Sequence, residues 1–124
     1  PIGKVRNELK TREKDLCLTG AKGISCIDLI PSQNRFMYKL EEERFLTILY
    51  YLHEIKSVKS IFKRAFDEKE VGVFASRTPY RLSKIGIQDV KLVKIEGTTL
   101  YVEGLDAING SPVLDIKLKL TTLN

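Results

Sequence analysis

The second half of the chain consists of short apolar runs separated by turn residues, and this feature most restricts the possible folds. Strands are predicted at residues 87–95, 100–104 and 114–120. Gly97 and the pair Asn109-Gly110 supply turn signals between them, because these residue types tolerate the backbone angles of tight turns. Short strands at such close intervals favour a mainly β domain, a small barrel or sandwich with one or two short helices outside it.

Two of these strands carry further detail. In the last one, apolar and polar residues alternate, as is typical of a strand with one buried face: Leu114, Ile116, Leu118 and Leu120 against Asp115, Lys117 and Lys119. The pattern predicts that Asp115 and Lys117 lie on the same face. In the strand at 87–95, the apolar phase slips between Leu92 and Val93, which indicates a bulge.

The first half of the chain is also predicted to be largely extended. Strands are expected at residues 2–6, from Ile24 to a stop at Pro31, and at residues 45–53, with a helical turn at 39–44. Polar loops are expected at 10–15 and 32–38. A short strand at 72–76 should lead into a loop at 77–86.

Residues 55–66 form an exception, because their periodicity predicts a helix. The apolar residues follow the i, i+3, i+4, i+7, i+8 spacing of an amphipathic helix: Val58, Ile61, Phe62, Ala65 and Phe66. The opposite face would carry a basic stripe of Lys56, Lys59, Lys63 and Arg64. Such a stripe suits contacts with RNA phosphates, but it is more often the solvated face of a surface helix.

Composition restricts the class of protein without naming a function. The 124 residues contain no linker-like stretch, so we expect one domain over residues 1–124. The longest apolar run is too short to span a bilayer, which favours a cytoplasmic protein. The formal charge of +5 is compatible with a polyanionic partner. Two cysteines, Cys17 and Cys26, and one histidine, His53, make a metal site improbable, and we predict none.

Familiar catalytic and phosphate-binding motifs are absent from the sequence. It contains no GxxxxGK[ST] and no GxGxxG after a strand, which disfavours a doubly wound nucleotide-binding fold. Two local features remain: GVFASRTPYR at 72–81, where a strand end bears two arginines, and NGSPVLDIK at 109–117. Each has an ordinary interpretation, an edge loop with surface arginines and an exposed ion pair.

The same two features resemble the signature of the TsaA-like family, also called TrmO-type tRNA methyltransferases. Members typically carry G-[VI]-F-A-[TS]-R-[ST]-P-x-R-P-N-P-I-G and, later, G-L-D-x-x-[DN]-G-[TS]-P-[VL]-L-D-I-K. Here these stand as GVFASRTPYRLSKIG and GLDAINGSPVLDIK. The segments PIGKVRNE, LEEERFLTILYYLHE and KLVKIEGTTLYVEGLD are also similar to the family. The resemblance places residues 59–66 in an extended segment, against the helix that their periodicity predicts.

The resemblance implies a single small β-barrel that dimerises and binds S-adenosylmethionine near the dimer interface. The reaction it implies is N6-methylation of threonylcarbamoyl-adenosine in tRNA, with no residue assigned as the base. By position in the motifs, the cofactor contacts would be Phe74, Ala75, Ser76, Arg77, Ile85, Gly86, Asp115, Ile116 and Lys117. Contacts with tRNA are expected from Lys59, Lys63, Arg64 and Arg81.

The chain departs from the family pattern at two places. The P-N-P portion is replaced by Leu82-Ser83-Lys84, which removes two fixed φ angles and an amide. The family's early arginine-glutamine loop has no counterpart in KTREKDLCLTG, residues 10–20. These departures leave a second hypothesis open, a noncatalytic paralogue that binds RNA, nucleotide or protein on the same barrel. A purely structural interaction domain is a third.

Overall fold

The protein is a closed, six-stranded antiparallel barrel with a two-stranded hairpin beside it. The computed structural model describes residues 1–7 and 23–120. The barrel strands follow the order β1-β2-β7-β6-β3-β8 around the barrel, and β4 and β5 form the hairpin. Their bounds are β1 Gly3–Arg6, β2 Ile24–Leu29, β3 Phe45–Tyr51, β4 Ile61–Lys63, β5 Glu70–Gly72, β6 Ile85–Glu96, β7 Thr99–Glu103 and β8 Pro112–Leu118. The predicted mainly β barrel is therefore confirmed.

The core fills the interior of this barrel because the strands alternate between inward and outward side chains. On β3, Leu46, Ile48 and Tyr50 are at most 2% exposed, whereas Phe45 and Tyr51 at the strand ends are exposed. Inward residues of the other strands complete the cluster, including Val5, Ile27, Val90, Leu100, Val102 and Val113. Closure of the sheet leaves these six strands without a free edge.

Strand β3 lies between β6 and β8, and this arrangement places the site. Thr47 of β3 is paired with Asp89 of β6 on one side and with Lys117 of β8 on the other. The register shifts between Leu92 and Lys94 where β6 pairs with β7. The bulge predicted in this strand is therefore confirmed.

The helix predicted at residues 55–66 is wrong. Residues 61–63 form β4, which pairs with β5, and the backbone N–H of Lys59 donates to the carbonyl of Tyr80 over 3.1 Å. The apolar face that the periodicity would have buried has little to pack against, since Ile61 and Phe66 are 58% and 81% exposed. An isolated helix of this length is marginal without tertiary packing, so pairing with β5 decides the conformation.

The strand predicted at residues 72–76 is also wrong beyond its first residue. Strand β5 ends at Gly72, and Val73–Ala75 form a 3₁₀ turn. The N–H and Oγ of Ser76 both donate to the Val73 carbonyl, at 3.0 and 2.8 Å, which closes the turn. The predicted helical turn at 39–44 is confirmed as the 3₁₀ helix Leu40–Glu42, and a further 3₁₀ helix, Pro31–Phe36, occupies the predicted loop at 32–38.

Several expectations fall outside the described residues: the loop at 10–15, Cys17, and the place of the early arginine-glutamine loop. Cys26 is a buried free thiol. No helix in the described part of the chain has the length and apolar character needed to cross a membrane. Across residues 1–7 and 23–120, no three or more His, Cys, Asp or Glu side chains form a group suited to a metal ion.

Candidate functional site

The candidate site is a cavity of about 880 Å³ bounded by β3, β6, β8 and the loop that follows the 3₁₀ turn Val73–Ala75. Its lining combines apolar, hydroxyl and charged side chains: Thr47, Tyr50, Leu52, Ser76, Arg77, Thr78, Pro79, Arg81, Ser83, Ile85, Gly86, Ile87, Gln88, Asp89, Asp106, Lys117, Leu118, Lys119 and Leu120. Both halves of the signature contribute, although they are far apart in the chain. The fold therefore brings the two motif segments to one cavity.

Arg81 holds the loop that forms one wall of the cavity. Its Nη1 donates to the carbonyls of Ser76 and Thr78 at 2.9 and 3.2 Å, and its Nη2 donates to the Val73 carbonyl at 2.6 Å. Thr78 is only 6% exposed, so this loop is anchored at its centre. A guanidinium can satisfy three carbonyls because its five N–H groups lie in one rigid plane. The arrangement fixes the backbone that carries Ser76 and Arg77.

Tyr50 and Asp106 form a hydrogen-bonded pair in the cavity wall. The Tyr50 hydroxyl donates to Asp106 Oδ1 at 2.7 Å, and the tyrosine ring is 2% exposed. Gly86 lies directly against this ring, because a Cβ built on Gly86 would be 2.5 Å from Tyr50 Cζ. Gly86 therefore makes room for the ring, in addition to lining the cavity.

A polar row crosses the outer face of the barrel beside the cavity. Thr47 Oγ1 donates to Asp89 Oδ1 at 2.6 Å, and Lys117 follows Thr47 on the next strand. Lys117 Nζ lies 3.5 Å from Asp115 Oδ2, which confirms that these two side chains share a face. Both are largely exposed, so the ion pair contributes little to stability.

The charges around the cavity are of both signs. The cavity is lined by the cationic residues Arg77, Lys117 and Lys119. Two carboxylates, Asp89 and Asp106, also line it. Arg77 makes no hydrogen bond or ion pair with another residue of the described chain, which leaves its guanidinium available to a ligand. A lining of this kind suits a ligand that itself carries both positive and negative groups.

The residues predicted to contact the cofactor divide into two groups. Ser76, Arg77, Ile85, Gly86 and Lys117 line the cavity. The others do not: Phe74 is 92% exposed, the Ala75 carbonyl accepts a bond from Arg64, Asp115 pairs with Lys117, and Ile116 packs partly against the core.

Sequence reasoning missed Tyr50 and Asp106, as well as Thr47 and Asp89. Asp106 stands inside the GLD of the second motif, so the motif itself was the signal that could have found it. Tyr50 lies within an apolar strand and resembles an ordinary core residue. Nothing local distinguishes it, because its partner is 56 residues away in the chain.

The four residues predicted to contact RNA do not form one stripe. Arg81 lies at the cavity, where it binds backbone carbonyls, and the other three lie on or beside the β4–β5 hairpin. Lys59 Nζ stands 4.6 Å from the centroid of the Tyr80 ring, and Lys63 Nζ is 3.9 Å from Glu68 Oε1. Arg64 binds Asp67, and its hydrogen bonds hold the pKa of that carboxyl below the usual value.

Comparison with known proteins identifies the family. The sequence model of one protein family, the tRNA-methyltransferase O N-terminal domain, matches residues 17–122 of this chain. A probable S-adenosyl-L-methionine-binding protein of Pyrococcus abyssi is 30% identical over 119 residues, 94% of this chain and 65% of that protein. A tRNA (adenine(37)-N6)-methyltransferase of Mus musculus is 37% identical over 63% of this chain and 19% of its own length.

A solved structure supports the same relationship. A crystal structure of TrmO superposes with a TM-score of 0.76 and 26% identity, covering 97% of this chain and 55% of the TrmO chain. The chain thus spans less than two thirds of the Pyrococcus relative and about half of TrmO. Because the family model covers most of the chain and the barrel is shared, this chain belongs to the tRNA-methyltransferase O N-terminal domain family.

Proposed function

We propose that this chain transfers the methyl group of S-adenosylmethionine to N6 of an adenosine in tRNA. The observation that carries the proposal is the convergence of the two motif segments, from residues 76–86 and from Lys117, on one cavity. Family membership supports it, as do relatives whose names state S-adenosyl-L-methionine binding or tRNA adenine N6-methylation.

The cavity fits S-adenosylmethionine in size and chemistry. Its volume of about 880 Å³ lies within the range of small-molecule sites. Arg77 and Lys117 suit the carboxylate of the methionine portion, and Asp89 suits its ammonium group or the ribose hydroxyls. Leu52, Ile85 and Leu118 offer apolar surface to the adenine ring. When bound, this cofactor supplies an electrophilic methyl group on a sulfonium. Phe74, Ala75, Asp115 and Ile116 would flank the bound cofactor at the edge of the same site.

The proposed acceptor is threonylcarbamoyl-adenosine, with tRNA held by the basic residues around the cavity. Lys59 and Lys63 present positive charge on the hairpin side of the cavity loop. The Lys59 ammonium lies close to the rings of Phe62 and Tyr80. Arg64 and Arg81 orient backbone near that loop and contribute further charge. Phosphate contacts of this kind position an RNA without reading its sequence. Because a tRNA-modifying enzyme must have access to tRNA, we propose that the protein is cytoplasmic.

We also propose that the chain forms a homodimer through the outer face beside the cavity. Ile85, Ile87, Leu118 and Leu120 are 44%, 48%, 55% and 86% exposed, and all four line the cavity. Contiguous exposed apolar surface of this kind marks interaction sites. A second copy would cover it and enclose the ligand. Sedimentation of the purified chain tests this, and the double variant Ile87→Lys with Leu118→Lys should be monomeric.

Two measurements test the proposed function. Calorimetry with S-adenosylmethionine should show binding, and tRNA isolated from a strain lacking N6-methylation should gain one methyl group per acceptor, located by mass spectrometry of nucleosides. Comparison of tRNA with and without the threonylcarbamoyl group tests the acceptor. The replacement of P-N-P by Leu82-Ser83-Lys84 favours the alternative of a noncatalytic paralogue. Cofactor binding without transfer would support that alternative, and absence of binding at millimolar cofactor would refute both the cofactor and the reaction.

A further inference from the structure

We propose that the Phe66 ring, held by Arg64 at the turn of the β4–β5 hairpin, stacks on an unpaired base of the bound tRNA. The inference rests on the proposed function for the kind of partner. It extends that function, since the basic residues of the hairpin account only for contacts with phosphates. The observation that carries it is the position of the Arg64 guanidinium, whose Cζ lies 4.7 Å from the centroid of this ring, over its face.

Arg64 is fixed in place by hydrogen bonds on several sides. Its Nε and Nη2 donate to the two carboxylate oxygens of Asp67 at 3.1 and 2.5 Å, and its Nη1 donates to the Ala75 carbonyl at 3.2 Å. The backbone of the turn is closed as well, because the N–H of Arg64 donates to the Lys69 carbonyl and the N–H of Glu68 donates to the Arg64 carbonyl. A planar guanidinium held in this way is a rigid support for an aromatic ring.

The other face of the Phe66 ring is open to a ligand. Phe66 is 81% exposed, whereas the side chain of Arg64 beneath it is only 21% exposed. Residues 63–68 line a shallow cavity of about 470 Å³ at this turn. A single exposed apolar residue needs no functional explanation. A ring that is already ordered on a fixed support, however, loses little conformational entropy when a flat ligand stacks on it.

The charge of the hairpin favours a polyanion as the ligand. Even when Arg64 is set against its partner Asp67, residues 56–70 contain four lysines and two glutamates. These are Lys56, Lys59, Lys63, Lys69, Glu68 and Glu70. Surfaces that bind unpaired nucleotides combine the same two elements, aromatic rings that stack on bases and cationic side chains that contact phosphates. The hairpin therefore fits a single-stranded loop of RNA.

The hairpin is joined to the loop that forms one wall of the cavity. The Ala75 carbonyl that accepts a bond from Arg64 directly precedes Ser76, which lines the cavity. The backbone N–H of Val73 donates to the carbonyl of Ser60, the residue before β4, at 3.0 Å. An RNA loop that stacks one base on this hairpin is therefore held beside the cavity that the acceptor base must enter.

The first test separates base stacking from phosphate contact. The probe is an RNA hairpin that carries the anticodon loop of a tRNA, titrated without cofactor. Phe66→Ala should weaken its binding at least about fivefold, the lower limit for the loss of one stacked base. With abasic nucleotides in the loop, wild type and Phe66→Ala should bind equally, because the phosphates remain. The thermal unfolding midpoint should not change, since the ring is exposed.

Two further variants serve as controls for this test. Phe36→Ala removes another exposed ring beside a guanidinium, because Phe36 is 66% exposed and its centroid lies 4.8 Å from Arg35 Cζ. It lies on the connection between β2 and β3 and should bind the RNA as wild type does. Lys63→Gln should reduce the salt dependence of binding, whereas Phe66→Ala should leave that dependence unchanged.

The second test detects the stacked base directly. The chain contains no tryptophan, so Phe66→Trp introduces a single fluorescent reporter. Its emission should be quenched by the intact RNA hairpin and unchanged by the abasic one, and its affinity for the intact hairpin should equal or exceed that of wild type.

Three results would overturn the inference: no binding of the RNA hairpin by wild type, a loss below about fivefold in Phe66→Ala, or an equal loss with the abasic hairpin. An altered sedimentation of Phe66→Ala would assign the ring to a protein contact and would also overturn it. Methyl transfer distinguishes the two proposals. Phe66-dependent RNA binding without transfer refutes the proposed function alone, and transfer with an unchanged KM for tRNA in Phe66→Ala refutes this inference alone.

Discussion

Replacing Gly86 by alanine would place a methyl group in space that the Tyr50 ring occupies. The added Cβ would lie 2.5 Å from Tyr50 Cζ, 2.6 Å from Cε2 and 3.0 Å from Cε1. Carbon atoms prefer about 3.5–4.0 Å, so the ring must move by roughly 1 Å. Overpacking of this kind costs about 1–3 kcal/mol. The displaced hydroxyl also weakens its bond to Asp106, worth about 1.5–3 kcal/mol.

The expected net loss in the free energy of unfolding is about 2–4 kcal/mol, after an offset of about 0.5–1 kcal/mol for the smaller backbone entropy of alanine. Urea unfolding measures it. Gly72→Ala is the matched control, because its Cβ would meet nothing closer than the Ser60 carbonyl at 3.8 Å. In a Tyr50→Leu background, the cost of Gly86→Ala should fall below about 1 kcal/mol, as the clash is gone. Equal costs in both backgrounds would refute the reasoning.

Three further predictions concern the loop and the barrel. Lys84 has a φ of 53°, so Lys84→Gly should raise the unfolding free energy by up to about 1 kcal/mol, and Lys84→Pro should lower it by more than that, measured by urea unfolding. Hydrogen bonds, of which the one from Arg6 has the largest effect, hold the pKa of Asp28 below its usual value. The Asp28 carboxylate therefore stabilises the fold above about pH 4. That contribution is lost as the pH falls through the lowered pKa, and Asp28→Asn should show a smaller loss of stability between pH 5 and about pH 2; an unchanged slope would contradict this. Arg81→Ala should weaken S-adenosylmethionine binding by roughly tenfold, because it leaves three loop carbonyls without their donor, and Arg81→Lys should recover little of this affinity. Arg77→Ala should also weaken binding, but it should leave the midpoint of thermal unfolding unchanged. Calorimetry and thermal unfolding check these two variants.

The candidate site could be predicted in part because its two motifs are local. Ser76, Arg77, Gly86 and Lys117 were identified from contiguous segments, and all four line the cavity. The pair of Tyr50 and Asp106 could not be identified in this way. Its members meet only because the barrel brings β3 and the loop before β8 together. A hydrogen bond across 56 residues leaves no trace in the spacing of either segment.

The loop at 82–84 shows a different limit. The sequence shows that two prolines and an asparagine of the family pattern are replaced, but not what the backbone does instead. At Lys84 the chain adopts a left-handed φ of 53°, which proline cannot reach because its ring holds φ near −65°. The loop therefore follows a path at this residue that the family's own proline would forbid.

The sequence by itself determined most of the barrel. Apolar runs and the turns at Gly97 and Gly110 place strands within a few residues of β3, β6, β7 and β8. The buried face predicted for the last strand was wrong at its end, because Leu118 and Leu120 are 55% and 86% exposed. Tertiary structure decided residues 55–66. A helix here would have an apolar face that needs another apolar surface to pack against. Residues 61–63 instead form backbone hydrogen bonds with the neighbouring strand β5. It also decided that Gly86 faces Tyr50, since the antiparallel pairing of β3 with β6 places these two residues opposite each other.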